Sequence, residues 1–359
     1  MKSIQITIHP LSALAGAAVL GAAFVLSSMQ GTSTAIALVT LTAEEVEILS
    51  HQSIVFLDDG QGGTAKTIRF SGVNVQFVNG TGQTAGVNGL GNLIVGYNEL
   101  GPNADRTGSH NIISGSQNEY LSYGGIVGSF GNRIEAPFAC ITGGQLNVAS
   151  GIAASVTGGV DNSATGDGAT VSGGQANVAS GIGAAVSGGK DNVSSSTWAS
   201  VSGGTSNVAS NRWASVSGGA GNVASEFFTS VTGGESNTAS ELGATVTGGR
   251  LNLANGEYCV VSGGQNNTAG RGSFGMGFMN SATVSGGFNN IASGFGASVT
   301  GGEGNEAGRA LNGTQGDYAS VTGGRMNRAV GGWSTVSGGL NRQVTGDDDW
   351  RAGTAFEDN

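Results

Sequence analysis

Across most of this chain the apolar positions keep a fixed rhythm: an Ala and a Val one residue apart, a glycine pair, an Asn, then a further Val-Ala step, all returning every 15 residues. The tripeptide Thr/Ser-Gly-Gly begins at 142, 157, 172, 187, 202, 217, 232, 247 and 262. The surrounding unit reads S-V-[ST]-G-G-x-x-N-x-A-S-G-x-x-A, and is clearest from Ser215 to Ser225. Alternation in Ala214-Ser215-Val216-Ser217 sends Ala214 and Val216 to one face and the two serines to the other, as in a half-buried strand. A strict period of this kind predicts a solenoid whose turns stack on one another. A three-sided coil built on hexapeptides needs about 18 residues per turn, so a flattened coil with two short strands per turn fits 15 better. The expected fold class is therefore all-β, a parallel β-roll or β-solenoid with 15-residue rungs, preceded by a small α+β cap.

The chain before the repeats reads differently. Lys2, an apolar run from Leu11 to Leu26 and the small residues Ala35-Ile36-Ala37 predict a secretory signal peptide over 1–37. A capping segment over 38–90 follows. Thr42 and Glu45 form a capping box for a short helix ending near Ser50, with Val46 and Leu49 on one face. Ile54 to Leu57 and Ile68 to Phe70 read as strands around the turn-rich Asp58-Asp59-Gly60-Gln61-Gly62-Gly63, and Val73, Val75 and Phe77 alternate as a third strand. Paired acids in a glycine loop read as solvated turn residues in preference to a calcium site. Degenerate rungs fill 91–138 with larger inward residues, regular repeats fill 139–346, and an acidic polar tail occupies 347–359. The period breaks twice, between Ser262 and Ser285 and between Thr300 and Thr322. The first break contains Phe274, Met276, Phe278 and Met279, the second Arg309 to Gln315.

Composition sharpens this picture. The chain has 68 Gly but only 13 Phe, 4 Trp and 3 Pro, too little bulk for an ordinary globular core. One Val and two Ala per turn leave a lone coil poorly supported, so lateral association of several chains is expected. Lys and Arg number 14 against 24 Asp and Glu, a net charge of −10 that disfavours nucleic acid as a partner. Cys140 and Cys259 lie about eight rungs apart, roughly 38 Å at strand spacing, so they cannot bridge within one chain. After removal of the signal no integral membrane segment remains.

Three columns of side chains are candidates for chemistry or contact. Asn147, Asn162, Asn177, Asn192, Asn207, Asn222, Asn237, Asn252 and Asn267 recur three residues after the second Gly, continuing at Asn290, Asn305 and Asn327. They are expected to form a structural ladder hydrogen-bonded along the axis and to supply the left-handed conformation of a corner. Trp198, Trp213, Phe228, Tyr258, Tyr318 and Trp333 stand four residues before the Thr/Ser of their corners. Their rings either pack between subunits or form an exposed strip for polysaccharide or protein ligands. Ser and Thr at 200 and 202, 215 and 217, 230 and 232, 245 and 247 make two hydroxyl columns, the geometry an ice-binding surface would use.

Enzymatic motifs are scarce. The sequence has no H-E-x-x-H, no G-x-S-x-G and no Lys-Ser/Thr after its glycine pairs, so no catalytic, metal or cofactor site is assigned. Asp161, Asp167, Asp191 and Glu235 are the carboxylates a β-helical polysaccharide-cleaving enzyme could use.

The unit S-V-[ST]-G-G-x-x-N-x-A-S-G-x-x-A-S-V resembles the head repeat of trimeric autotransporter adhesins, whose S-V-A-I-G motif recurs at about this length. The resemblance covers Ala139 to Val344 and implies a left-handed, trimeric β-roll. The family's apolar Ile is Gly here, and its coiled-coil stalk and membrane anchor have no counterpart in this sequence. Together these readings lead to a non-enzymatic secreted or cell-surface protein, structural or adhesive, that associates with itself and binds a glycan or matrix protein. A carbohydrate-active β-helix enzyme and an ice-binding protein are the alternatives.

Overall fold

The computed structural model describes residues 41–102, 104–270, 280–308 and 316–352. The signal-peptide reading, most of both period breaks and the end of the tail lie outside these residues. The chain divides into two compact units between Gln76 and Phe77.

The first unit carries helix α1 (Ala43–Ser50) and the hairpin β1 (Gln52–Asp58) and β2 (Thr64–Phe70). The capping box is formed in both directions: Glu45 N donates to Thr42 Oγ1 at 3.2 Å and Thr42 N to Glu45 Oε2 at 2.7 Å. β1 and β2 pair antiparallel from Gln52 opposite Phe70 to Asp58 opposite Thr64. In the connecting turn, Asp58 Oδ1 accepts from Gly60 N, and Asp59 Oδ1 accepts from Gln61 N and Gly63 N. The Gln61 amide, and after it that of Gly63, hold the Asp59 carboxyl below its ordinary pKa. These acids thus serve the turn. The expected third strand does not form: Val73, Val75 and Phe77 are exposed in irregular chain, and among the described residues no strand pairs with them. Val46 and Leu49 are likewise exposed, and α1 buries no residue.

The second unit is a parallel β-solenoid of about 16 turns. Each turn gives one strand to each of two sheets. The first sheet runs from Leu93–Val95 through Ser215–Val216 to Trp350–Arg351; the second, 15-stranded, runs from Glu119–Tyr120 through Val223–Ala224 to Gln343–Val344. Pairing is parallel and in register, residue upon residue one repeat away, as in Ser215 on Ser200 and Val223 on Val208. Residues 77–90 belong to this unit and not to the cap, because Asn79 N donates to His110 Nε2 at 3.2 Å and Asn88 N to Ser109 Oγ at 3.0 Å.

The interior follows from the alternation. In the turn starting at Asn207, the residues Asn207, Ala209, Ala214 and Val216 point inward and are buried, while Val208, Ser210, Ser215 and Ser217 face outward. The same columns form one continuous core, widened in the early turns by Ile113, Ile134 and Ile141. Cys259 occupies the inward Ala column, and burial pushes its thiol up to about 11; Cys140 is half-buried on the outward Ser column. Among the described residues no helix is long and apolar enough to cross a membrane.

Two corners connect the sheets. At the Gly-Gly corner the second glycine is required twice over: Gly219 has φ +87°, and a Cβ there would lie 2.1 Å from Gly234 O. The first glycine is different. Gly218 does not adopt positive φ, and a Cβ on it would meet nothing within 4 Å.

Candidate functional site

The opposite corner is a four-residue turn. Ala214 N donates to Asn211 O at 3.0 Å, and Trp213, the third residue of the turn, donates its amide to Thr197 O of the preceding rung at 3.2 Å. With φ positive at Trp213 and not at Arg212 the turn has the type II pattern, which favours glycine at its third residue. All six aromatic residues singled out by their spacing sit there, with φ of +56° or +57°. For a bulky L-residue this conformation costs about 1–2 kcal/mol, and glycine avoids the cost. Other rungs do use glycine in this column: Gly168, Gly183, Gly243 and Gly296, all with positive φ.

The rings so placed are exposed, from 42% for Tyr318 to 61% for Trp333. Trp198, Phe228, Tyr258, Tyr318 and Trp333 each lie against the preceding rung. Trp213 and Phe228 stack with centroids 4.9 Å apart at 7°, and Tyr318 and Trp333 at 4.1 Å and 14°. Where the preceding rung has glycine, the ring covers it: a Cβ at Gly183, Gly243 or Gly296 would lie 2.5, 2.7 or 2.8 Å from the ring of Trp198, Tyr258 or Tyr318. The six residues therefore form one edge, interrupted at Gly243, Ser281 and Gly296.

Spacing alone did not recover the whole edge. Phe138 occupies the same column, with φ +61° and an edge-on contact to Tyr123 at 5.4 Å; its place four residues before Thr142 marks it. Phe295 meets Tyr318 edge-on at 5.1 Å, and the Arg212 guanidinium lies 5.1 Å from the Trp213 ring centroid. Both belong to the neighbouring column, where no regular recurrence signals them.

Thr268–Ala269 leads to Thr283–Val284, and Glu306–Ala307 to Ser320–Val321, so both period breaks fall between strands that the aromatic corner joins in the other rungs. The stack continues past them in register: Asn290 N donates to Asn267 Oδ1 at 3.0 Å, and Asn327 N to Asn305 Oδ1 at 2.9 Å.

The asparagines lie inside, out of reach of ligands. Asn207 is fully buried; its Oδ1 accepts from Asn222 N at 2.9 Å, while its Nδ2 donates to Gly203 O and Gly219 O, both at 2.9 Å. The pattern repeats at Asn147, Asn162, Asn177, Asn192, Asn222, Asn237, Asn252 and Asn267. The expected left-handed backbone is not theirs. It belongs to the residue before each: Leu146, Asp161, Ala176, Asp191, Ser206, Gly221, Ser236, Leu251 and Asn266. The Asn must keep its amide pointing along the axis to receive the preceding side chain, so the reversal is made one residue earlier.

The hydroxyl columns lie on the outer face of the first sheet, where Ser215 Oγ donates to Ser230 Oγ at 3.4 Å and Ser298 Oγ to Ser320 Oγ at 3.1 Å. The four carboxylates are split between corners. Asp161, Asp191 and Glu235 stand at the Gly-Gly corner, with Glu235 3.5 Å from Arg250 Nε, whereas Asp167 at the aromatic corner accepts from Ile152 N at 2.9 Å. Among the described residues no group of three His, Cys, Asp or Glu is placed to hold a metal ion. No protein-family model matches the chain, and no curated protein matches it.

Proposed function

We propose that this chain is a non-enzymatic, exported structural or adhesive protein whose aromatic edge contacts glycan or matrix ligands, and that it works as a homotrimer of left-handed rolls like the adhesin heads its repeat resembles. The observation that carries the reading is the conformation of the aromatic residues. Trp, Tyr and Phe occupy exposed turn positions where glycine would be less strained and is used in other rungs. Local strain of this kind persists where a contact outside the fold is selected for. Both period breaks fall between strands that the aromatic corner joins in the other rungs, the arrangement by which repeat scaffolds gather recognition loops on one side.

Self-association is supported by the opposite edge. Through most of the stack the first glycine of the pair has no positive φ and a Cβ on it would meet nothing within 4 Å, Gly338 with φ +129° being an exception, yet glycine recurs there from rung to rung. Close approach of another backbone explains such a column. Three chains meeting along their Gly-Gly edges leave the aromatic edges outward.

A solid-phase panel of glycans, matrix proteins and cells tests the adhesive reading: saturable binding to at least one class is expected, and absence of binding throughout overturns it. The mass of the purified protein in solution tests assembly, with three chain masses expected and a monomer contradicting the trimer.

A further inference from the structure

The two stacked pairs on the aromatic edge differ in the charge beside them. At Trp213 and Phe228 the chain supplies its own cation: Arg212, the residue before Trp213, sets its guanidinium 5.1 Å from the Trp213 ring centroid. That is within reach of a cation–π contact, in which the negative face of the ring attracts the charge. At Tyr318 and Trp333 the preceding residues are Asp317 and Gly332, and neither carries a cation. The positions are equivalent, since Phe228 N donates to Arg212 O as Trp333 N donates to Asp317 O.

Carboxylates gather at this second pair instead. Asp317 Oδ1 accepts from Phe295 N at 3.2 Å, and Asp347 Oδ1 accepts from Gly332 N at 2.7 Å, which anchors the Asp347 carboxylate beside the backbone of Trp333. Asp348 occupies the aromatic column one rung beyond Trp333, with φ +59° and its amide donating to Gly332 O at 2.8 Å. Arg351, close by in sequence, donates its Nη1 to Gln343 O at 3.1 Å. The Trp333 ring has one face against Tyr318 at 4.1 Å, yet 61% of the residue is exposed, so its other face is open to solvent. That open face looks toward the rung of Asp347 and Asp348. A guanidinium is planar, stacks flat on an indole, and presents its N–H groups at its rim, where carboxylates accept them.

Resting on the adhesive reading above and narrowing its protein ligand, we propose that the open face of Trp333, together with Asp347 and Asp348, is a binding site for an arginine side chain in a basic segment of a partner protein. The guanidinium lies on the indole and donates to the two carboxylates, the part that Arg212 plays for Trp213 within the chain. A net charge of −10 on the whole chain draws such a segment in.

Titration calorimetry of the full chain with capped tetra-arginine, and with tetraglutamate and tetraglycine for comparison, reads the site. Saturable binding of tetra-arginine alone is expected. Trp333→Gly keeps every charge and folds on the precedent of Gly168, Gly183, Gly243 and Gly296 in the same column. Asp347→Asn combined with Asp348→Asn keeps the ring and the side-chain acceptor for Gly332 N. Each change is expected to weaken tetra-arginine about tenfold at an unchanged melting temperature. Asp161→Asn combined with Asp191→Asn removes the same charge at the Gly-Gly corner and is expected to change the affinity by less than about twofold. An equal loss from that distant pair, undiminished binding after Trp333→Gly, or no binding at millimolar concentration overturns the site. If tetra-arginine fails while the solid-phase panel still finds a ligand, the arginine site is overturned and the adhesive reading stands. Tetra-arginine binding that depends on Trp333, with an empty panel, keeps the site and overturns the adhesive reading.

Discussion

Replacing Asn207 by Ala tests the ladder at the middle of the stack. The side chain is fully buried and makes three hydrogen bonds, with Asn222 N, Gly203 O and Gly219 O. Gly219 O retains the amide of Thr205 as a partner at 2.9 Å, but Asn222 N–H is left buried without its acceptor. An orphaned buried donor costs about 1–3 kcal/mol, and the two weakened carbonyls and the vacated volume bring the total to about 3–5 kcal/mol. Equilibrium urea unfolding of the full chain, followed by far-ultraviolet circular dichroism, measures it. Because each turn contacts only its neighbours, the transition also broadens as the stack divides at the defect. Asn207→Asp keeps the acceptor but sets a carboxylate against carbonyl oxygens, so its folded pKa lies above the ordinary carboxyl value. Its penalty is small below that ordinary value and grows as pH rises toward the folded pKa, making the variant weaker at pH 7 than at pH 4. A loss under about 1 kcal/mol for Asn207→Ala refutes the ladder as a source of stability.

Other substitutions separate positions that look alike in the repeat. Gly219→Ala forces a Cβ to 2.1 Å from Gly234 O in a left-handed conformation and is expected to abolish soluble folded protein or lower stability by more than about 3 kcal/mol, whereas Gly218→Ala meets nothing within 4 Å and is expected to raise single-chain stability by about 0.4–1 kcal/mol; melting curves of the pair decide. If the first glycine serves chain-chain contact, Gly203→Ile, Gly218→Ile and Gly233→Ile combined leave the circular dichroism spectrum intact while reducing the mass in solution to one chain. Alkylation by iodoacetamide at pH 8 is expected to spare Cys259 in the native protein, since a thiol raised to about 11 is only about one part in a thousand thiolate there. Labelling becomes rapid in denaturant; fast native labelling at Cys259, found by peptide mass, contradicts the burial.

The period made the solenoid legible before any coordinates, because stacking identical turns requires identical columns. The capping box at Thr42 and the hairpin around Asp58-Asp59 were equally legible, being local. Long-range partners were not: Val73, Val75 and Phe77 alternate like a strand, yet among the described residues no strand pairs with them, and residues 77–90 join the solenoid through His110 and Ser109 far along the chain. The left-handed residue of the corner lies one position before the Asn. A signal was present in the residues that tolerate it, since the column before each Asn contains Asp161, Asp191, Gly221, Asn266 and Gly304. The aromatic column carried the same signal in its interspersed glycines, where rings and glycines share one backbone conformation.

The central claim, that the aromatic edge is kept for binding and not for folding, is tested most directly by one variant measured two ways. Trp198→Gly, Trp213→Gly and Phe228→Gly together give up the Trp213–Phe228 stack but release three strained turn positions, so stability is expected to stay within about 1 kcal/mol of the native chain or to rise. Binding to the ligand found in the solid-phase panel is expected to fall at least tenfold in the same preparation. A variant that melts well below the native chain yet binds as before contradicts the account.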